Sequence, residues 1–192
     1  MSMKQILFNT EMVRAILDGR KTCTRRLVRF LPGENPQWTG YIKDGLMLYN
    51  GKNEPCIRKA PYQTGDILYV RETFIQAAAH TFWYKADGKS WMSKDLLWKP
   101  SIHMPKEAAR IWLKVTDVRV ERLQEITTNQ IEQEGVETEY PHVLNGEEKK
   151  YAFQNLWNST IKKSDLDRYG WDANPYVWVI EFERCEKPES EE

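Results

Sequence analysis

The spacing of apolar positions changes along the chain, and each change predicts an element. Gln5 to Phe8 reads as a short strand, after which Thr10 is placed to cap a helix whose apolar stripe is Val13, Ile16 and Leu17. Gly19 closes that helix, because glycine takes the positive φ that a helix end requires. Leu27, Val28 and Phe30 predict a strand, and the run from Tyr41 to Tyr49, broken by Asp44-Gly45, predicts a hairpin. Gln63-Thr-Gly-Asp66 is a turn leading into the β-prone Ile67-Leu-Tyr-Val70. Ile111 to Leu123 alternates through Ile111, Leu113, Val115, Val118 and Val120, as one long or bent strand pair does. Thr127 or Thr128 caps a short helix through Glu134, stopped at Gly135, and Lys150 to Ile161 has amphipathic helix spacing. Tyr176 to Phe182 is apolar on both faces and reads as a central last strand.

Residues 73–110 carry Phe74, Phe82, Trp83, Trp91 and Trp98 without a clear period and read as an insertion. Strands and helices in this irregular order exclude a regular βαβ series. The fold class they predict is α+β, with a small, mixed, partly closed β-barrel and helices at its periphery. At 192 residues one domain is expected, spanning 1–185, with an acidic tail over 186–192.

Charge narrows the partners. Lys plus Arg equals Asp plus Glu at 28 each, so the whole molecule has no field that attracts polyanions, and any nucleic-acid contact must be a local patch. Arg14, Arg20, Lys21, Arg25, Arg26 and Arg29 form such a patch, with Asp18 the one acid inside the span. Cys23, Cys56 and Cys185 are odd in number and lack CxxC spacing, and no apolar leader precedes them, which predicts a cytoplasmic protein with free thiols. His80, His103 and His142 lack the spacing of a zinc site, so no metal and no cofactor is expected. No stretch has the apolar length of a membrane span.

The segment Leu17-Asp-Gly-Arg-Lys-Thr-Cys-Thr-Arg-Arg26 holds the candidate chemistry. A lysine with cationic neighbours or in a buried place can act as a base, and Thr24 supplies a hydroxyl within three residues of Lys21. The alternative is a basic, solvated loop leading into a strand. Cys23, between two threonines, reads as a small apolar residue on the inward face of that strand. Ser101 and His103 suggest a nucleophile and base, but no carboxylate is placed to orient His103, which argues against a serine hydrolase. Arg71-Glu72 reads as a buried pair fixing a strand end. Of the eight tryptophans, Trp98 is the choice for a pocket wall, beside Lys99-Pro100, Ser101 and His103.

Gly19-x-Lys21-x-x-x-x-Arg26 resembles the signature of the ASCH domains, a branch of the PUA-like superfamily of small β-barrels linked to RNA and nucleosides. Gln63-Thr-Gly-Asp-Ile-Leu68, Val115-Thr-Asp-Val118, the Glu125 to Glu134 helix and Val179-Ile-Glu-Phe182 resemble successive elements of that domain, in order. Lys21-Thr-x-Thr-Arg-Arg26, Arg71-Glu72-Thr73, Trp98-x-Pro-Ser-Ile-His-Met-Pro105 and Trp171-Asp-Ala-Asn-Pro175 resemble larger phage-associated ASCH-like proteins of unknown activity. Relative to the short members of the family, residues near 31–60, 73–110 and 136–175 are additional.

The active-site motif is similar to that of the short bacterial N4-acetylcytidine amidohydrolases, which implies a catalytic set of Lys21, Thr24 and Glu134, with Glu132 as the nearest competitor of Glu134. Gly19, Arg20, Arg25, Arg26, Arg71, Glu72, Trp98, Ser101 and His103 would then bind substrate or nucleic acid. Either Thr24 attacks with Lys21 as base, or Glu134 activates a water while Lys21 and Thr24 polarise the acyl oxygen. The other function class is an RNA or nucleic-acid binding module, with or without ribonuclease activity, using the Arg20 to Arg26 segment.

Overall fold

The computed structural model describes residues 3–31, 34–42, 45–50, 52, 54–88, 96–138 and 146–189. It is an α+β chain that divides into two compact units interleaved in sequence: Met1–Thr22, Thr64–Thr116 and Phe182–Glu192 form the first, Cys23–Gln63 and Asp117–Glu181 the second.

In the first unit β1 (Met3–Leu7) runs parallel to β6 (Ile67–Arg71), and β6 is antiparallel to the start of β9 (Trp112–Arg122), with Leu68 opposite Leu113. Helix α1 (Thr10–Leu17) buries Val13, Ala15 and Ile16. Its cap is Asn9 rather than the expected Thr10: the Asn9 side chain accepts from Met12 N at 2.8 Å, which leaves Thr10 as the first helical residue. The region read as an insertion contains its own hairpin, β7 (Phe74–Ala78) with β8 (Thr81–Tyr84), over a small core of Phe74, Met104 and Ala108. Trp91 lies outside the described residues.

The second unit begins with β2 (Cys23–Leu27), which is antiparallel to β10 (Tyr176–Cys185) with Arg26 opposite Trp178 and Arg25 opposite Val179. The strand starts earlier than the apolar run Leu27, Val28, Phe30 suggested, because its inward positions include Cys23 and Arg25. A three-stranded meander of β3 (Glu34–Ile42), β4 (Gly45–Asn50) and β5 (Pro55–Lys59) occupies the segment expected to carry a hairpin. Asp44 lies outside the described residues, while Ile42 pairs with Gly45. Helix α2 (Thr128–Gln133) is capped by Thr127, whose hydroxyl accepts from Gln130 N while Gln130 returns a bond to Thr127 N. It ends where expected, with Glu134 as its cap and Gly135 at φ +77. Helix α3 (Glu147–Thr160) is one turn longer than its apolar stripe. Cys23, Leu123, Ile126, Ile131, Phe153, Trp157, Val177 and Val179 form the core of this unit.

Hydrogen-bonded strand order is β1-β6-β9-β10-β2, with β10 interior as its apolar faces required. The order is open at both ends, so the expected partial barrel is not closed among the described residues.

One buried ion cluster anchors the 73–110 region. Arg110 donates to both Glu72 oxygens at 2.8 and 3.0 Å and to Asp87 at 2.6 Å, and its guanidinium lies 3.9 Å from the Tyr84 ring centroid. Burial pushes the Glu72 carboxyl up against the opposing pull of Arg110, whereas at the less buried Arg110 the carboxylates outweigh burial and its pKa rises. Native Glu72 therefore holds a proton over a range where the unfolded chain has lost it, so its contribution to stability falls as pH rises through that range. We expect the stability of wild type relative to Glu72→Gln to decline as pH is raised from the ordinary carboxylate range, measured by urea unfolding; a gap that widens in favour of wild type contradicts the assignment.

Gly146, which begins α3 at φ +87, would place a Cβ 2.8 Å from Thr128 Oγ1 at the start of α2. Gly146→Ala should cost at least about 1–2 kcal/mol from the backbone alone, read from the urea midpoint, with Thr128→Gly relieving only the steric part.

Candidate functional site

Lys21 is set by the end of α1 in the first unit. Asp18 caps the helix, Gly19 turns at φ +76, and the amides of Arg20 and Lys21 both donate to Ala15 O at 2.9 and 3.0 Å. That turn sends Arg20 outward to Asp18 at 3.0 Å and Lys21 inward, where the residue is 2% exposed and its Nζ lies 5.6 Å from the Phe8 ring centroid. A lysine this buried is not a solvated surface charge.

In the second unit the alternation of β2 splits the motif between two faces. Cys23 and Arg25 share a side: Arg25 Nη1 lies 3.9 Å from Cys23 Sγ, and Cys23 packs in the core. Thr24 and Arg26 take the other side, opposite Ile180 and Trp178.

Arg25 is 3% exposed and spans several acceptors. Its Nη1 donates to Glu134 at 3.2 Å, and its Nη2 to Glu121 at 3.3 Å and to Gln130 Oε1 at 3.1 Å. Glu134 is itself 5% exposed, held at the end of α2 by the same capped turn that presents Gln130. Glu121 passes the charge on to Arg119 at 2.6 Å, and Arg119 also reaches Asp117 at 2.8 Å and Glu181 at 2.6 Å. Burial opposes the charge on Arg119, but the hydrogen bonds it donates to these carboxylates outweigh it and raise its pKa. Within the basic motif the residue that pairs with Glu134 is Arg25. Glu132, the competing carboxylate, is engaged instead by Lys149.

Thr24 is 1% exposed, and its hydroxyl oxygen accepts from Arg26 Nη1 at 3.0 Å. A guanidinium only donates, so this bond leaves the hydroxyl hydrogen of Thr24 to serve another acceptor. Burial of the Arg26 guanidinium pushes its pKa down, opposed by the charges of Tyr62 and Glu134. Arg26 also lines a pocket of about 380 Å³, with Trp178, Tyr62, Arg58, Lys59 and Arg29. That volume lies in the range of small-ligand sites, roughly 300–1,000 Å³.

Of the other expected site residues, Gly19, Arg20, Lys21, Arg71, Glu72, Trp98, Ser101 and His103 belong to the first unit and Thr24, Arg25 and Glu134 to the second, and none of them lines this pocket. Arg71 donates to Gln5 Oε1 and Ile102 O rather than to Glu72, whose partner is Arg110. Trp98 is half-buried beside the Phe74–Lys99 bridge, and Ser101 and His103 sit on one short 3₁₀ turn. The aromatic walls that sequence reasoning missed are Tyr62 and Trp178. Their signals are the basic-aromatic run Arg58-Lys-Ala-Pro-Tyr62 and the register that sets Trp178 beside Arg26. Among the described residues no group of three or more His, Cys, Asp or Glu is placed to hold a metal ion.

No family model and no curated protein matches the chain. Among solved structures, it is similar to an ASCH domain from Lactobacillus crispatus JV V101, at 15% identity and TM-score 0.41, over 95% of this chain and 79% of that one. It is also similar to the hypothetical protein PH0355, at 15% identity and TM-score 0.39, over 96% of this chain and 100% of that one.

Removing Arg25 leaves the Glu134 carboxylate buried without that partner. Arg25→Met should cost about 3–5 kcal/mol, read from urea unfolding, while Arg119→Met, whose guanidinium is more exposed, should cost distinctly less. Equal losses at the two positions would contradict the central place of Arg25.

Proposed function

We propose that the protein hydrolyses the amide of an N-acylated pyrimidine nucleoside such as N4-acetylcytidine, with Lys21, Thr24 and Glu134 as the catalytic set. The observation that carries this reading is the Arg26 side chain. It holds the Thr24 hydroxyl oxygen at 3.0 Å and lines a nucleoside-sized pocket walled by Tyr62 and Trp178. The motif's resemblance to the ASCH amidohydrolases supplies the chemistry.

A planar base lies against the aromatic walls, as unstacked bases do on protein aromatics. Thr24 Oγ1 attacks the acyl carbon and its proton passes to Lys21. The Arg26 guanidinium faces the oxygen on which charge develops. As the tetrahedral intermediate collapses, the carbon–nitrogen bond breaks and the exocyclic amine takes the proton that Lys21 accepted from Thr24, while Glu134, held by Arg25, positions the water of the next step. Water then cleaves the threonyl ester and restores the hydroxyl. The Thr24–Arg26 bond favours this assignment over a water activated directly by Glu134.

A second reading, an RNA-binding module with or without ribonuclease activity, draws on the four cations lining the pocket, Arg26, Arg29, Arg58 and Lys59. It receives less from Arg20 and Arg25, which are engaged by Asp18 and by Glu134 with Glu121. Among the described residues no helix is long and apolar enough to cross a membrane. A cytoplasmic setting and the kinship with phage-associated ASCH-like proteins are part of the same proposal.

Incubation with N4-acetylcytidine should release cytidine and acetate. Lys21→Ala, Thr24→Ala and Glu134→Gln should each lower kcat by about 10²–10⁴-fold, the usual worth of a positioned acid, base or nucleophile. Mass spectrometry after rapid quenching should find acetyl on Thr24. Absence of turnover, or turnover unchanged in all three variants, would sink the hydrolase; full activity of Thr24→Ala alone would transfer the attack to water.

A further inference from the structure

We infer that the pocket of the second unit takes a phosphorylated nucleoside, a base bearing an anionic phosphate, rather than a neutral one. This rests on the nucleoside pocket proposed above and names its ligand more closely. Four cations line the pocket, Arg26, Arg29, Arg58 and Lys59, and no carboxylate does, in a chain whose acids and bases balance at 28 each. A neutral nucleoside gives such a surplus nothing to neutralise. Glu34 answers part of it through an ion pair with Arg58. Arg26 is committed to Thr24 Oγ1 and the Arg25 carbonyl oxygen. Arg29 and Lys59 are different: both are exposed, and neither has an ion-pair partner among the described residues.

The lining thus has two chemistries. The half-buried Tyr62 offers flat surface for a base, and Trp178, 5% exposed, borders the same cavity. Arg29 and Lys59 offer solvent-facing donors, one a planar fork suited to two phosphate oxygens and the other a mobile point charge. Arg29 lies two residues past the end of β2, while Lys59 ends β5, so the two cations come from separate segments that both border the pocket. One phosphate attached to a base fits this division, with the base against the aromatic walls and the anion at the exposed cations.

The test compares cytidine, cytidine monophosphate and a short oligocytidylate on the full chain by calorimetry and tryptophan fluorescence, at low and high salt. Two or more charge-assisted contacts predict that the monophosphate binds at least about tenfold more tightly than cytidine at low salt. The advantage should shrink as salt rises, and inorganic phosphate should compete with it. The double variant Arg29→Gln/Lys59→Gln, altered only at exposed positions, should remove the advantage, bringing the monophosphate's affinity down to that of cytidine. The oligomer should gain little per site over the monophosphate. Equal affinity for cytidine and its monophosphate overturns the inference, as does an unaffected double variant. Tight binding of the oligomer with no preference for the monophosphate also overturns it, because the ligand is then an RNA backbone. These ligands carry no acyl group, so the result is independent of turnover. Hydrolysis of N4-acetylcytidine without a phosphate preference sinks this inference alone, and a phosphate preference without hydrolysis sinks the hydrolase alone.

Discussion

The second unit depends on one buried guanidinium. Arg25 lies in the strand that forms the unit's inner face, beside a core cysteine, where an ion without partners is untenable. Its place is secured by Glu134, Glu121 and Gln130, contributed by α2 and β9. The three elements are thereby fixed to one another by donors in a rigid fork, which a lysine's single ammonium does not replicate. Such a network is weak evidence of stabilisation, since burying the charges costs much of what their attraction returns. Its consequence is positional: α2 has to end where Glu134 meets Arg25, and Gly135 permits the chain to leave at that point.

The period of two in β2 turns this constraint into a division of labour. With Arg25 drawn to the core side, Thr24 and Arg26 must face the other way, toward Ile180 and Trp178 across the ladder. A one-residue slip would bury Thr24 and Arg26 among Ile131, Val177 and Val179 and place Arg25 in the pocket. The anchoring of Arg25 thus sets that Arg26 is the arginine of the pair that lines the pocket. Adjacent arginines of the same motif do opposite work: one holds a carboxylate inside, the other bonds the buried Thr24 hydroxyl and lines a cavity.

Much of this was legible in the sequence where local chemistry decides it. The Gly19 turn, the Thr127 cap, the Gly135 stop and the alternation of Ile111 to Leu123 are all short-range signals, and each element stands where it was expected. Asn9 displaced Thr10 as a cap because both residue types suit the position and only the helix start distinguishes them. Long-range partners were not legible. Arg71 and Glu72 are adjacent in sequence yet serve Gln5 and Arg110, since neighbours in a strand point apart. Trp178 was hidden in an apolar run, where a tryptophan reads as core until the register sets it beside Arg26. Asp117, Arg119 and Glu121, by contrast, already occupy one face of a strand at alternate positions, a polar row in an otherwise apolar pattern.

The neutral net charge takes on a different meaning in this light. Balance over the whole chain is compatible with any local arrangement, and three of the six cations of the basic segment are answered within a few ångströms: Arg14 by Glu11, Arg20 by Asp18, Arg25 by Glu134 and Glu121. Counting charges along residues 14 to 29 therefore overstates what that segment offers a partner. The positive surface that remains is built by bringing Arg29 together with Lys59 from a distant strand, around a cavity lined by no acid. Charge matters here through the register and the meander that gather it, and those same elements set the aromatic walls. A flat ligand that carries its own negative charge meets both features at once, which neither a neutral nucleoside nor a bare anion does.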